Sequence, residues 1–396
     1  MTSTAMLTPS QRAERALPVL RENARRVDGD AVFPAESLAA LREGGLMGLL
    51  VPVADGGLGG GLGDLVDTAQ LLASACTSTA MIWAMHCQQV DVVVRHGSPA
   101  LRARLLPRIA AGEVYLASIT SEKQTGGHLL TSAAPLQHND NGVLVERVAP
   151  IVTGGAVADG FLMTMLDAPG ASPREVTLVY ADREQLDVRV SGDWNPLGMR
   201  GTHSVALTLS GVVPEDQIVG ARGEFGEVAV SSMIPLAHLA WAACWLGTAR
   251  QALSDLVTVF RSPGRPRSVD LKSDLVAERL ARVRMDVEVV SAYLRQTEQE
   301  ISRCRAGGGD LSATPVQIHL NTLKVIAAEL TYRAADQCVQ LGGMALGYLA
   351  DAPVPFERHL RDLRSASLNY ANDRLLTASG TLCLLDKSVS LLGDRA

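Results

Sequence analysis

The sequence predicts a mainly α-helical chain with a β insert: an N-terminal helical domain (1–114), a central small antiparallel β barrel or sandwich (115–222) and a C-terminal four-helix bundle (223–396). Three observations carry this. Only 4% of the 396 residues are aromatic while 47% are hydrophobic, and Ala is abundant, a usage that leans toward helix. From about 115 to 220 the chain is rich in Val, Thr, Gly, Asp and Pro, in short apolar runs separated by turn residues. Beyond that, long helical patterns alternate with short Gly- and Pro-rich breakers. The length is enough for two or three domains and a large core.

Taken in order, Ser10 is placed to cap a first helix running toward Val27, and Pro34 opens a second that ends at Gly44–Gly45. Ser78 to His96 reads as a long apolar helix stopped by Gly97, and Ser98–Pro99 restarts a helix that finishes near Gly112. Strands are expected at Val114–Thr120, Gly142–Val148, Phe161–Leu166, Val176–Tyr180, Val188–Val190 and Ser204–Leu209. Bundle helices are expected over about 224–261, 271–305, 314–341 and 363–392. Their breakers are Pro263-Gly264-Arg265-Pro266, Gly307-Gly308-Gly309 and Gly342–Gly343.

Several classes drop out. Basic residues number 36 and acidic residues 42, a formal charge of −6, and no Lys/Arg block stands out, so a nucleic-acid partner is not expected. The six cysteines include no CxxC and read as reduced residues of a cytoplasmic protein, with neither a zinc site nor a disulfide frame. The first ten residues lack the pattern of a secretory signal, and the apolar stretch Met233–Gly247 is too short to span a bilayer. No βα alternation supports a Rossmann sheet, no register of Gly56–Gly63 gives GxGxxG, and there is no P-loop. Any cofactor is then expected between domains.

The central third is the most informative. Ser118-Ile119-Thr120-Ser121-Glu122-Lys123-Gln124-Thr125-Gly126-Gly127-His128 resembles the acyl-CoA dehydrogenase signature, a strand ending in Thr-Glu-Pro-x-x-Gly-Ser-Asp. Ile151-Val152-Thr153 through Ala158-Asp159 resembles that family's Trp-Ile-Thr-Asn segment. Leu197-Gly198-Met199-Arg200-Gly201-Thr202 with Val213-Pro214 resembles its Leu-Gly-Met-Arg-Gly-Thr … Val-Pro stretch. Gly342–Gly343, Glu357–Arg358 and Arg361–Asp362 resemble its C-terminal pattern, and Gly48–Pro52 with Gly56–Gly59 fits its N-terminal one. These matches fall in the family's order over nearly the whole chain.

The resemblance implies a flavin, FAD in the first instance, bound between the β domain and the bundle and partly by a neighbouring subunit of a homodimer or homotetramer. It implies cofactor contacts at Ile119, Ser121, Glu122, Gly126, Gly127, Ile151, Thr153, Arg261, Gly342, Gly343 and Asn372. The glycines offer backbone N–H groups to a pyrophosphate, and the hydroxyls of Ser121 and Thr153 can hydrogen-bond the flavin edge.

The departures bear on mechanism. The family removes a proton beside a thioester carbonyl with a Glu a few residues after its Arg-Asp pair, and counting forward from Arg361–Asp362 puts Tyr370 there. Other members carry the Glu on the first bundle helix, where this chain has Ala237 beside His238. A phenol of pKa near 10 is a poor base at neutral pH. Asp373, on the same face as Tyr370 if the segment is helical, and His238 are the remaining catalytic candidates. The resemblance places dehydrogenation of an acyl thioester first, on CoA or a carrier protein and with an electron-accepting flavoprotein. The missing Glu points to a second reading, a monooxygenase using FMN or another reduced flavin from a reductase to hydroxylate a small aromatic or amine substrate. A flavin-free scaffold is the third.

Overall fold

A computed structural model of the chain describes residues 7–394 except 123, 125, 127, 141, 264, 267 and 268. By internal contacts these form two compact units. One holds the residues up to Leu65, Ile82–Asn195 and Gly201–Ala237; the other holds Val66–Met81, Pro196–Arg200 and the residues from His238 onward.

The first unit begins with α1 (Pro9–Gly29), and its cap is Thr8, not Ser10: Thr8 and Gln11 form a reciprocal capping box with Pro9 at the first helical position. Next in the chain come α2 (Ala35–Glu43), α3 (Leu62–Ala75), α4 (Thr77–His96) and α5 (Pro99–Ala110), of which Val66–Met81, most of α3 and the first turn of α4, belongs to the second unit. Ser98 caps α5 as expected, its hydroxyl accepting the Leu101 N–H at 3.1 Å. Among the described residues the β region has eight strands: β1 (Leu116–Ile119), β2 (Gln137–Asn139), β3 (Gly142–Val152), β4 (Gly160–Leu166), β5 (Val176–Asp182), β6 (Leu186–Ser191), β7 (Val205–Val213) and β8 (Ile218–Val219). They make two four-stranded sheets, ordered β1-β4-β5-β8 and β2-β3-β7-β6. All pairings are antiparallel except β1 with β4, a parallel pair the sequence pattern did not reveal. Every residue of β4 is buried, whereas β3 alternates between buried and open positions, as a strand with one wet face should. The pairing of β3 with β7 slips between Ala149 and Val152, at Pro150, which has no N–H to give. The slip turns Ile151 outward, 54% exposed.

The helices resume with α6 (Phe225–Val228), a π turn (Ala229–Met233) and α7 (Ile234–Arg261). Together Phe225–Arg261 is 37 residues, long and apolar enough to cross a membrane and thus longer than the stretch expected from the sequence; most of it is buried inside the protein, as in a core helix. The second unit continues with α8 (Asp274–Arg303) and α9 (Thr314–Gly343). The fourth expected rod is broken into α10 (Phe356–Arg364) and α11 (Asn372–Cys383). The break falls in Ser365-Ala366-Ser367-Leu368-Asn369-Tyr370-Ala371, where side chains compete with the helix ladder. Ser365 Oγ donates to the Asp362 carbonyl and Arg364 donates to Ser367 Oγ. Tyr370 has φ +54°, which a helix cannot accommodate. Helix α9 packs against α8, α10 and α11 and forms the axis of this unit. Cys76, Cys87, Cys244 and Cys338 are buried as expected; Cys383 is exposed.

Candidate functional site

In the β unit, the end of β1 and the slipped end of β3 come together. Ser121 Oγ donates to the Ile151 carbonyl at 3.1 Å. Thr153, just past β3, shares a hydrogen bond with Ser204 Oγ (3.1 Å), which shares another with Thr202 Oγ1 (2.9 Å). Tyr115 Oη donates to the Thr153 carbonyl at 2.9 Å and so fixes the backbone there. The next residue must be glycine: at Gly154, φ +60°, a Cβ would lie 2.7 Å from Tyr115 Oη and 2.8 Å from the Phe33 ring. Half-buried Ser121 and Thr153 therefore flank the exposed side chain of Ile151, an apolar surface edged by hydroxyls.

Two of the residues expected to contact a cofactor have their side chains turned into the protein. Ile119 is fully buried in β1. Glu122 is turned inward, 4% exposed: it is ion-paired with Arg147 of β3 and accepts the N–H groups of Ala133 (2.8 Å) and Ala134 (3.1 Å) and the Ser132 hydroxyl (3.3 Å). A carboxylate can be buried only when so compensated. Burial alone pushes the Arg147 guanidinium down to about 10. Arg147 also reaches Ser121 O (3.4 Å) and Thr164 Oγ1 of β4 (3.5 Å), tying the two sheets together under the surface edge. Gly126 is exposed with φ +59°. Gly127 and Lys123 lie outside the described residues.

In the helical unit the structure joins two motifs that the sequence shows apart. Gly198 presses against the Arg361 carbonyl so closely that a Cβ would lie 2.0 Å from it. The Met199 N–H donates to Asp362 Oδ1 at 2.6 Å, and Arg361 reaches the Leu197 carbonyl at 3.1 Å. This pins the start of the turn that ends in Tyr370. The Tyr370 phenol is partly buried and raised above its ordinary pKa by desolvation, with Arg374 opposing. At neutral pH it is a hydrogen-bond donor, not a base. Asp373 is exposed in the first turn of α11; Tyr370 is outside the helix with a left-handed backbone, so the shared face expected for the two does not exist.

His238 is buried in the bundle, 3% exposed. Its Nδ1 faces the Leu320 carbonyl at 3.1 Å and so carries the proton, leaving Nε2 as the acceptor. Burial and then Lys324 push its pKa down to about 4, so it is neutral at pH 7. Asn372, expected at a cofactor, is 6% exposed and turned inward: Oδ1 accepts from Lys324 Nζ (2.7 Å), and Nδ2 donates to Glu329 (3.3 Å). Arg261 is exposed at the end of α7; Gly342 is buried and Gly343 exposed at the end of α9. The residue missed entirely is Lys324. It lies three residues before Ala327 and four after Leu320 on the buried stripe of α9, which was its only signal in the sequence.

Comparison with known proteins adds the following. Residues 13–113 match the family model described as acyl-CoA dehydrogenase, N-terminal domain, and residues 226–369 match acyl-CoA dehydrogenase, C-terminal domain. The chain is 27% identical over 369 residues to the amino sugar nitrososynthase DnmZ of Streptomyces peucetius, covering 90% of this chain and 87% of that one. It is 24% identical over 372 residues to the mitochondrial very long-chain specific acyl-CoA dehydrogenase of Mus musculus, covering 90% of this chain but 54% of that one. Among solved structures it is similar in fold to FMN-bound TdsC from Paenibacillus sp. A11-2 (TM-score 0.83, 22% identity, 96% and 98% of the two chains). Butyryl-CoA dehydrogenase from Megasphaera elsdenii is similar too (TM-score 0.83, 18% identity, 97% and 100%), as is KijD3 in complex with dTDP (TM-score 0.80, 22% identity, 96% and 98%).

Proposed function

The chain belongs to the acyl-CoA dehydrogenase superfamily, and from that premise we propose that it is a flavin-dependent monooxygenase that oxidises the nitrogen of a small amine, of the amino-sugar class, with reduced flavin supplied by a separate reductase. One observation carries the reading. At the two positions where the resemblance expects a carboxylate base, this chain has Tyr370, held protonated, and Ala237. Without a base, proton abstraction beside a thioester has no agent. The name of the similar nitrososynthase and the dTDP held by KijD3 support the substrate class.

A flavin of the FMN or FAD type fits the residues present: hydroxyl groups at Ser121 and Thr153 edge an exposed apolar side chain at Ile151. When bound and reduced, that group supplies two electrons, so that one atom of O₂ enters the substrate and the other, with two protons, leaves as water. The chain's own residues do the rest. Ser204 holds the Thr153 hydroxyl in one orientation. Tyr370, protonated, offers a hydrogen-bond donor in place of a base. Neutral His238 keeps a second positive charge out of the bundle interior beside Lys324. The product of the first oxidation is a hydroxylamine, R–NH₂ becoming R–NHOH. A homodimer or homotetramer is part of this reading, supported by exposed apolar side chains on α8 such as Met285 and Val289.

The test is to load the protein with FAD or FMN, add an NADH-linked flavin reductase and ¹⁸O₂, and offer free and nucleotide-linked amino sugars beside acyl thioesters. The expected result is one ¹⁸O atom in an amine product. Desaturated thioester with no labelled amine product would overturn the reading in favour of dehydrogenation.

A further inference from the structure

Lys324 is fully buried in the middle of α9, and its three N–H donors are all committed. They go to the carbonyls of Ala366 (2.9 Å) and Tyr370 (2.8 Å) and to Asn372 Oδ1 (2.7 Å). These acceptors span the whole break between α10 and α11, and all are neutral. The Trp245 ring lies beneath the ammonium, 5.7 Å from its centroid. Burying a cation without a carboxylate in contact is costly, and a helix position among Leu323, Val325 and Ala327 would ordinarily take an aliphatic residue. Its presence here calls for a role that a neutral residue could not fill.

We propose that Lys324 is a positioning residue: its ammonium holds the left-handed turn that presents Tyr370 and, along the row of mutually tilted rings Trp245, Trp241 and His238, couples that turn to the state of His238. The proposal rests on the functional reading above for what Tyr370 does, and on geometry alone for how it is held. Tyr370 at φ +54° is in a conformation unfavourable for a side chain of its size. Among the local bonds, Asn369 N–H bonds back to Ser365 O (2.8 Å) ahead of Tyr370, and Asn372 N–H to Ser367 O (3.0 Å) closes the turn around it. The bond that reaches Tyr370 O comes from Lys324, 46 residues away in sequence.

The second arm of the coupling runs through rings. Trp245 and Trp241 are 6.4 Å apart between centroids, and Trp241 and His238 are 6.5 Å apart. The ammonium repels a second proton on His238, while burial acts in the same direction. The charged and titratable groups facing this cluster are Glu329 on α9, which reaches it through Asn372, His238 on α7, Tyr370 in the turn and Arg374 on α11. Burial lowers the ammonium to about 8 with Glu329 opposing, so at pH 7 it is still protonated and keeps all three donors.

The experiment uses the full chain with Lys324→Met, Lys324→Arg and Asn372→Ala. In Lys324→Met, amide exchange at Asn369 and Asn372 should quicken at least tenfold while amides of α8 are unchanged. The His238 ring should titrate at a higher pH by NMR, and kcat should fall at least tenfold with KM within threefold. Lys324→Arg should recover part of each. Should Lys324→Met fail to fold, Asn372→Ala, which removes one acceptor, must still speed exchange at Asn369 at least threefold. Exchange and His238 titration indistinguishable from wild type in the folded variants would overturn the proposal. If the wild-type protein oxygenates nothing, the functional reading fails, and exchange and His238 titration still decide the role of Lys324.

Discussion

Two buried cations, one in each unit, solve the same problem differently. Arg147 in the β unit lies against a buried carboxylate, Glu122, which is itself satisfied by two backbone N–H groups and a hydroxyl. Lys324 in the helical unit has three neutral acceptors and an aromatic ring. The first arrangement is an ion-paired network that ties two sheets together near the hydroxyls of Ser121 and Thr153, with Arg147 Nε left without a partner among the described residues. The second leaves an ammonium nearer to losing its proton and fastens it to the turn where the superfamily's base has been replaced. On the proposed function this is a division of labour, with cofactor contacts in the β unit and the choice of chemistry in the helical unit.

Glu122→Gln tests the contrast most severely, because it gives Arg147 the kind of neutral surroundings that Lys324 tolerates. Leaving a buried guanidinium without its carboxylate should cost about 3–5 kcal/mol. A large drop in the denaturation midpoint is expected, whereas a loss of under 1 kcal/mol would mean that the two sites are not different in kind.

Acid sharpens the contrast next. His86 in the β unit, and His238 and His359 in the helical unit, are all buried, and burial lowers them from 6.5 to about 4, 4 and 3 respectively. The unfolded chain takes up these protons near pH 6.5 and the native protein does not, so stability falls as pH drops from about 6.5 toward 4, and further toward 3 for His359. Each contributes on the order of 3 kcal/mol across its window. His319 has the opposite sign: Glu300 and the Ser390 carbonyl hold its proton, so its stabilisation is present below 6.5 and is lost as pH rises through its raised value. Denaturant melts over pH 4–7 should show the helical unit failing first, with His238→Gln and His359→Gln each flattening the slope.

Tyr370→Gly separates strain from chemistry. Glycine takes φ +54° at no cost, so the melting temperature should hold or rise by a degree or two, while turnover falls at least tenfold for want of the phenol. Equal turnover would remove Tyr370 from the site. The smallest effect is expected on the β side: Thr153→Val keeps the shape of the side chain and should weaken flavin affinity, measured by fluorescence quenching, about fivefold to tenfold, or roughly 1 kcal/mol.

Much of this was legible in the sequence. The strand positions followed the alternation, and Ser121 and Thr153 stood out because ordered motifs surrounded them. What was hidden is long-range. Nothing local shows that Glu122 turns inward to Arg147, 25 positions on, since a carboxylate after a strand reads equally well as a surface ligand. Nor does periodicity show that 363–392 breaks at Tyr370, because Ser and Asn residues are weak helix breakers and the bond that fixes the turn comes from α9. Lys324 lay on the apolar stripe in plain view, but its meaning depends on three acceptors 42 to 48 positions away.

The most direct test of the functional account is anaerobic. Oxidised, flavin-loaded protein is titrated with a panel of acyl thioesters while the visible spectrum of the flavin is followed. A chain without a carboxylate at Tyr370 or Ala237 should leave the yellow band unbleached by every thioester, yet label an amine once a reductase and ¹⁸O₂ are admitted. Stoichiometric bleaching by any thioester in the absence of oxygen would contradict it.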